Sequence, residues 1–455
     1  MPDTARTADD ALELLDDLLK RALAHGADAA DAVMIQSDSV GASWRMGKPE
    51  DLERSESRDV GLRVIRGKKQ ATVASTDLKP SMLEELAERA NAMASVSPDD
   101  QWCGLADSAL YAREVPDLDL DDHPDPDPER LIQRARAAEE AALAVDGVKQ
   151  SEGGSAGMAR TRMALAIRGG DRPFAASYTT SSHSVSCSVI AEDAQGHMER
   201  DYDFSSARHF ADLASPEEVG RQAALNTVRR VGSRKMGSNR LPVVFDPRVA
   251  NGLLGHFAAA INGTAIARGT SFLKNRMGER VFAEGIRVVD DPLRPRGLRS
   301  RPVDGEGVAV RRTDLIEDGI LKTWMLDSAT ARQLGLQTTG HAGRGAGSSP
   351  SPGPSNLYLE PGEVSPEELI ADITEGFYVT ELIGFGVNGV TGDYSRGAAG
   401  FWIENGRIGF PVSEMTVAGN LKDMFLKLRP ASDLVFRYGA NAPTVRIDGM
   451  TVAGN

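Results

Sequence analysis

Cysteine is almost missing from this chain: there are two, Cys103 and Cys187, among 455 residues. They lie far apart and form no Cys-x-x-Cys pair, which excludes a disulfide scaffold and a zinc ribbon. The seven histidines are scattered without the paired spacing of a zinc site. No stretch approaches the roughly 18 apolar residues needed to span a bilayer. The opening Met-Pro-Asp-Thr-Ala-Arg-Thr-Ala-Asp-Asp has no apolar core of a secretory signal, so a cytoplasmic protein without membrane partners is expected. Cationic excess is also lacking. The net charge is -14, which excludes nucleic-acid binding driven by phosphate attraction.

What is present suits two or three domains with proper cores. Ala8–His25 has the leucine spacing of an amphipathic helix, with Gly26 as its C-cap. Ala30–Gln36, Gly41–Met46, Val60–Arg66 and Lys69–Ala74 read as short strands. Ser81–Ala94 reads as a helix with Leu83, Leu86, Ala90 and Met93 on one face. Asp117–Pro128, rich in Asp and Pro, reads as an exposed linker, and His123 within it as a surface-turn residue. Glu129–Ala144 is an Ala-rich helix. Alternating segments follow at Met163–Arg168, Phe174–His183, Ser184–Ala191 and Gly196–Phe204, then a helix at Pro216–Val231. Beyond Leu241 come a strand, a helix at Arg248–Ile261, a helix at Ser365–Glu375 and Gly-rich, strand-rich sequence. The expected fold is α+β and two-domain, with mixed and antiparallel sheets and flanking helices. Residues 1–120 and 129–235 together form the N-terminal domain, and 241–455 the C-terminal one.

Three features stand out in the C-terminal part. His341–Ser355 is a Gly/Ser/Pro-rich loop that reads as flexible or functional. Met-Thr-Val-Ala-Gly-Asn occurs twice, at 415–420 and 450–455, which suggests two similar strand-to-turn structures. Gly384, Gly386 and Gly389 fit Gly-x-Gly-x-x-Gly, but no Lys-Ser/Thr follows and no helix opens from them, so a nucleotide site is disfavoured. Such a backbone can instead present its N–H and C=O groups to an extended peptide. Asn388, Thr391, Asp393, Ser395, Glu404 and Glu414 are the candidates to orient that peptide. Turn chemistry and capping account for the same residues equally well.

The strings Thr391-Gly-Asp-Tyr-Ser395, Gly400-Phe-Trp-Ile-Glu404, Glu414-Met-Thr-Val-Ala-Gly-Asn-Leu421 and Gly449-Met-Thr-Val-Ala-Gly454 stand in an order that resembles the TldD/PmbA family, in its PmbA/TldE branch. The active branch of that family carries His-Glu, three residues and a second His on a helix. A metallopeptidase needs imidazoles for the metal and a carboxylate to deprotonate its water. Here His256 matches the first position, but Phe257 stands in place of the Glu and Ile261 in place of the second His. Val249, Leu253, Phe257 and Ile261 form an apolar ladder instead, as on a buried helix face. The thiolate ligand of the active branch is missing as well: Phe436–Asn441 contains no cysteine.

The resemblance therefore implies a chain with no catalytic residue and no metal ligand of its own. It would be the supporting subunit of a heterodimeric metalloprotease whose metal ion, zinc by expectation, sits on a TldD-like partner. The substrates implied are unfolded or short peptides, of the peptide-antibiotic-precursor and antitoxin classes. Two alternatives stay open. One is a self-sufficient metallopeptidase using His256 with ligands such as His341. The other is a non-enzymatic peptide-binding homodimer.

Overall fold

The computed structural model describes residues 4–124 and 127–454, with side chains from Asp10 onward. Asp125 and Pro126 of the acidic segment, and Asn455 of the second hexapeptide, lie outside the described residues. The first half runs α1 (Thr4–Ala24), β1 (Ala29–Arg45), β2 (Lys48–Arg66), β3 (Lys69–Ser75), α2 (Pro80–Val96), α3 (Pro128–Leu143), β4 (Val148–Arg168), β5 (Phe174–Glu192), β6 (Met198–Ala207) and α4 (Pro216–Val228). The strands form one antiparallel sheet in the order β3-β2-β1-β4-β5-β6.

Alternation decides what covers this sheet, because successive side chains point to opposite faces. On one face Ala30, Ala32, Leu62 and Val64 pack on Leu15, Leu18 and Leu19 of α1 and on Leu83, Leu86 and Ala90 of α2. Farther along that face, Val40 and Ala42 meet α3, and Val185, Cys187 and Val189 meet α4. Met93, expected on the buried stripe of α2, is 45% exposed; Ala94, one position on, takes that place in the core. The opposite face carries Leu165, Ile167, Phe174 and Ala176, which bury against Tyr111, Val303 and Val308.

Several strands are longer than the sequence patterning suggests. The pairs read at Ala30–Gln36 with Gly41–Met46, and at Phe174–His183 with Ser184–Ala191, are single strands. Strand β2 begins at Lys48, and its residues Lys48–Arg58 are exposed, so no apolar alternation marks them. The acidic segment is docked rather than free. Leu118 and Leu120 are buried, Ser181 donates its backbone N–H to the Leu120 carbonyl at 2.8 Å, and Arg160 holds Asp121 at 2.6 Å. His123 contacts Asp121 and Arg160 there.

The second half contains β7 (Asn239–Phe245), α5 (Pro247–Ala260), α6 (Gly263–Ala267), β8 (Val288–Asp290), β9 (Thr313–Glu317), β10 (Ile320–Leu321), α7 (Ser328–Leu334), β11 (Ala342–Gly343), β12 (Ser351–Pro352), β13 (Leu357–Leu359), α8 (Pro366–Ile370), β14 (Glu375–Ile383), β15 (Asp393–Glu404), β16 (Arg407–Asn420), α9 (Leu421–Leu426), β17 (Leu428–Pro430), β18 (Ala440–Asn441) and β19 (Val445–Ala453). The helix expected at Ser365–Glu375 stops at Ile370; Ile373 turns into the core and Glu375 opens β14.

The main sheet is mixed, in the order β16-β15-β14-β7-β19-β17, and β16 also pairs with β19. Five strands therefore close a circuit, which leaves few free edges. The repeated hexapeptides make the closure: Thr416 pairs with Ala453, Val417 with Val452 and Ala418 with Thr451. They are two strands of one antiparallel ladder, symmetric about Val417 and Val452. A second sheet, β10-β9-β8-β13-β18, lies beside it. Among the described residues, no helix is long and apolar enough to cross a membrane.

The two halves meet on the inner face of the first sheet. Asp31 lies buried between Arg63 and Arg344; burial alone would raise its pKa, but the two guanidiniums hold it below the usual carboxylate range. A Cβ on Gly61 would come 1.9 Å from the Ala346 carbonyl oxygen, so only glycine permits that approach. The His341–Ser355 loop is thus pinned, contrary to the flexible reading. His341 is buried beside Asp290 at 3.5 Å, and Asn262 donates to the Pro352 carbonyl at 2.7 Å.

Candidate functional site

Helix α5 starts where its sequence says it should. Asp246 caps it by accepting from the Arg248 N–H at 3.0 Å, and Pro247 occupies the first turn, where its missing N–H costs nothing. Tyr378 on β14 donates its hydroxyl to the same Asp246 at 2.8 Å, tying the helix to the sheet.

Neighbouring residues on α5 have opposite fates. Phe257 is fully buried, edge-on to Phe282 at 5.2 Å and to Phe425 at 6.2 Å, while Phe282 and Phe425 stack at 4.4 Å. Ile261 is equally buried and ends the helix. Both positions are filled by the apolar core and face no solvent-filled space. His256 is half-buried, with its ring edge-on to Tyr394 at 5.9 Å. Burial first, and the Arg396 charge second, lower its pKa, so its imidazole is neutral near pH 7.

His256 can offer a metal one nitrogen. The charged group acting on it is a cation, Arg396, which disfavours a second cation beside it. Among the described residues no cluster of three or more His, Cys, Asp or Glu side chains is arranged to hold a metal ion. The donor set around His256 does not fit a catalytic metal.

The Gly-rich segment is a loop between β14 and β15. Asn388 accepts from the N–H groups of Val390 and Thr391 at 2.9 and 3.2 Å. Thr391 donates to Asp393 at 2.6 Å, and Asn420 donates to Asp393 at 3.0 Å. The structure thus brings Asn388, Thr391 and Asp393 together as an internally bonded turn. Ser395 is exposed, and its backbone N–H donates to the Gly386 carbonyl at 2.7 Å. Glu404 is exposed at the far end of β15, paired in register with Arg407. Glu414 stands apart at φ 55, bridged to Lys235 at 2.5 Å.

Two hollows flank α5. One, of about 330 Å³, is lined by His256, Phe272, Phe385, Val387 and Arg396. The other, of about 350 Å³, lies between α5, β6 and β14 and contains Arg200, Arg230, Arg248, Asn251, Thr380 and Arg396. Arg396 is their common wall. None of these arginines was marked by sequence reasoning. The signal is topological: β6, α5, β14 and β15 must first be brought together. A β-bulge at Thr380 shifts the β14–β15 register between Val379 and Glu381, a device that re-aims side chains. The bulge needs Gly400, whose Cβ would lie 1.9 Å from the Tyr378 carbonyl oxygen.

Known proteins share this architecture. Three family models match: PmbA/TldA metallopeptidase domain 1 over residues 30–94, the central domain over 121–231 and the C-terminal domain over 238–454. The chain is 37% identical to Metalloprotease PmbA of Escherichia coli O157:H7, over 94% of this chain and 92% of that protein. It is 35% identical to a Metalloprotease PmbA homolog of Haemophilus influenzae, over the same shares, 94% and 92%. Among solved structures it resembles a candidate modulator of DNA gyrase from Bacteroides thetaiotaomicron, at 26% identity and TM-score 0.90, covering 98% of this chain and 99% of that one. TldE from Thermococcus kodakarensis shares the fold at TM-score 0.86 and 21% identity, covering 97% of this chain and 100% of that one. By sequence, by domain content and by fold, the chain belongs to the PmbA/TldD metallopeptidase family.

Proposed function

We propose that this chain is the metal-free, substrate-handling subunit of a two-chain peptidase whose metal, zinc by expectation, sits on a TldD-like partner. The observation that carries this reading is the state of α5. Phe257 and Ile261 occupy the positions of a general base and a second metal ligand, and both are sealed into the core. A carboxylate at position 257 would have to displace Phe282 and Phe425 before reaching water. In this reading the partner supplies the Lewis acid that activates water. This chain supplies walls, peptide contacts and the partner surface. Unfolded or short cytoplasmic peptides, such as antibiotic precursors and antitoxins, are the substrate class.

The test is metal analysis and peptide turnover on the purified chain, alone and mixed with a TldD-like protein. The expected result is no stoichiometric metal and no turnover alone, with turnover on mixing. Stoichiometric metal together with turnover by the chain alone would overturn the proposal and favour the reading in which His256 serves as a ligand. Silence of the mixture would leave the peptide-binding homodimer as the better account.

A further inference from the structure

The cleft between β6, α5 and β14 has more cationic than anionic side chains in its lining. The protein is strongly acidic overall, at -14, yet this cleft is lined by Arg200, Arg230, Arg248 and Arg396 against only Asp201 and Glu381. Three of the arginines are already neutralised. Arg230 bridges Glu199, Asp201 and Glu381, at 2.5 Å to the last; Arg248 bridges Asp201 at 2.6 Å; Arg200 reaches Glu152 at 3.4 Å. Arg396 differs. It donates to the Leu382 and Ile383 carbonyl oxygens at 3.2 and 3.4 Å and has no carboxylate partner among the described residues.

A second observation is independent of charge. Thr380 is 2% exposed, lines the same cleft, and its hydroxyl has no hydrogen-bond partner among the described residues. A buried hydroxyl left so costs free energy, so the β-bulge that places it there works against stability unless something binds. Beyond Arg396 the surface turns apolar. Phe272 and Val387 line the adjoining hollow, and Phe385 is fully exposed at its rim. A guanidinium without a carboxylate partner and an unpaired hydroxyl on one side, with an apolar shelf on the other, suit one chemistry: a carboxylate attached to an apolar residue.

We infer that Arg396 and Thr380 form a carboxylate-binding subsite for peptides, in which the guanidinium and hydroxyl hold a peptide carboxylate and the adjoining apolar hollow takes a neighbouring side chain. The carboxylate is either the free C-terminus or an Asp or Glu side chain. The inference rests on the reading that this chain handles peptides.

The test uses the full-length chain and three probes carrying an uncharged boron-dipyrromethene dye at the N-terminus, read by fluorescence polarisation. These are Ala-Gly-Ser-Leu-Phe as the free acid, the same peptide as the C-terminal amide, and the amide with Glu in place of Phe. At least one carboxylate-bearing probe should bind about tenfold more tightly than the neutral amide, and rising salt should narrow that ratio. Arg396→Gln should bring the ratio close to one, and Arg396→Lys should restore part of it. A preference for the free acid assigns the subsite to the peptide terminus, and a preference for the Glu amide assigns it to a side chain. Equal affinity of all three probes for the native chain, a measurement that needs no variant, would overturn the inference, as would an undiminished preference in a folded Arg396→Gln. Binding of none of the probes would overturn it too. Turnover by the mixed chains decides the subunit reading separately.

Discussion

The two six-stranded sheets of this protein are built by opposite rules. In the first, strands adjacent in sequence are mostly adjacent in space, and only the β1–β4 contact departs from a succession of hairpins. In the second, β7 pairs in parallel with β14 and antiparallel with β19, strands that lie far along the chain. The first sheet is a platform, covered by helices on one face and by the C-terminal half on the other. The second assembles α5 and the Gly-rich loop and, with β6 of the first, the arginine cleft. The proposed peptide site thus joins a local hairpin, β14–β15, to β6 and α5 from distant parts of the chain, and no contiguous motif encodes it.

The sharpest way to break this comparison is Phe257→Glu. It writes a metallopeptidase carboxylate into the helix, but places it against the stacked rings of Phe282 and Phe425. Loss of the ring alone costs about 3–5 kcal/mol, and burial of an unpaired carboxylate adds to that. The variant should unfold at far lower urea than the native chain and should bind no zinc. A folded, zinc-binding variant would mean that the second sheet's core is an adaptable site. Because the first sheet buries its inner face against the C-terminal half, the native chain should melt in one transition followed by far-UV and near-UV circular dichroism alike.

Asp31→Asn tests that buried face directly. Removing the carboxylate leaves Arg63 and Arg344 buried without their counter-charge, at a cost of about 3–5 kcal/mol. The expected signature is a broadened or split melt, with the first sheet and the second unfolding apart. A mere shift of a still-single transition would show that apolar contacts such as Phe174 with Val303 hold the halves together unaided.

Glu306 adds a pH term at the same junction. It is buried with Asp304, and desolvation first, then the Asp304 charge, raise its pKa. A carboxyl with a raised folded-state pKa contributes its stability below the ordinary glutamate range. That contribution is lost as pH climbs through the raised value. Glu306→Gln should flatten this decline, making the variant gain relative to the native chain as pH rises toward neutrality. Parallel stability curves for the two proteins would refute it.

The helices of the first half were legible because leucine and alanine spacing reports a buried stripe directly, as Leu15, Leu18 and Leu19 do. So was the buried fate of Phe257 and Ile261, which the apolar ladder announced. The full length of β2 was not legible, since Lys48–Arg58 are solvated and carry no period. Nor was the docking of the acidic segment, whose prolines and aspartates read as a linker although Leu118 and Leu120 anchor it. The Met-Thr-Val-Ala-Gly-Asn repeat was visible, but that its copies pair with each other is a property of the closed circuit. Arg396 and Thr380 escaped for the same reason: one is an ordinary strand residue, and the other matters only because a bulge re-aims it.

The smallest effect makes the finest comparison, between His256 and the residue beside it. His256→Ala removes a half-buried ring whose recorded partner is Tyr394, an edge contact worth about 0.5–1.5 kcal/mol. Above about pH 7 the variant should therefore lose only about 1 kcal/mol in urea titrations, well under the loss expected at Phe257. Below the ordinary histidine value of about 6.5 the difference should shrink. Burial and Arg396 lower the folded-state pKa of His256, so the unfolded chain takes up the proton first, and the stability this group contributes is lost as pH falls through the folded value. The alanine variant has no such loss, and the two stability curves should converge in acid. Curves that diverge there would mean that the imidazolium is held by a partner in the folded protein, and would move His256 from packing residue to charged site.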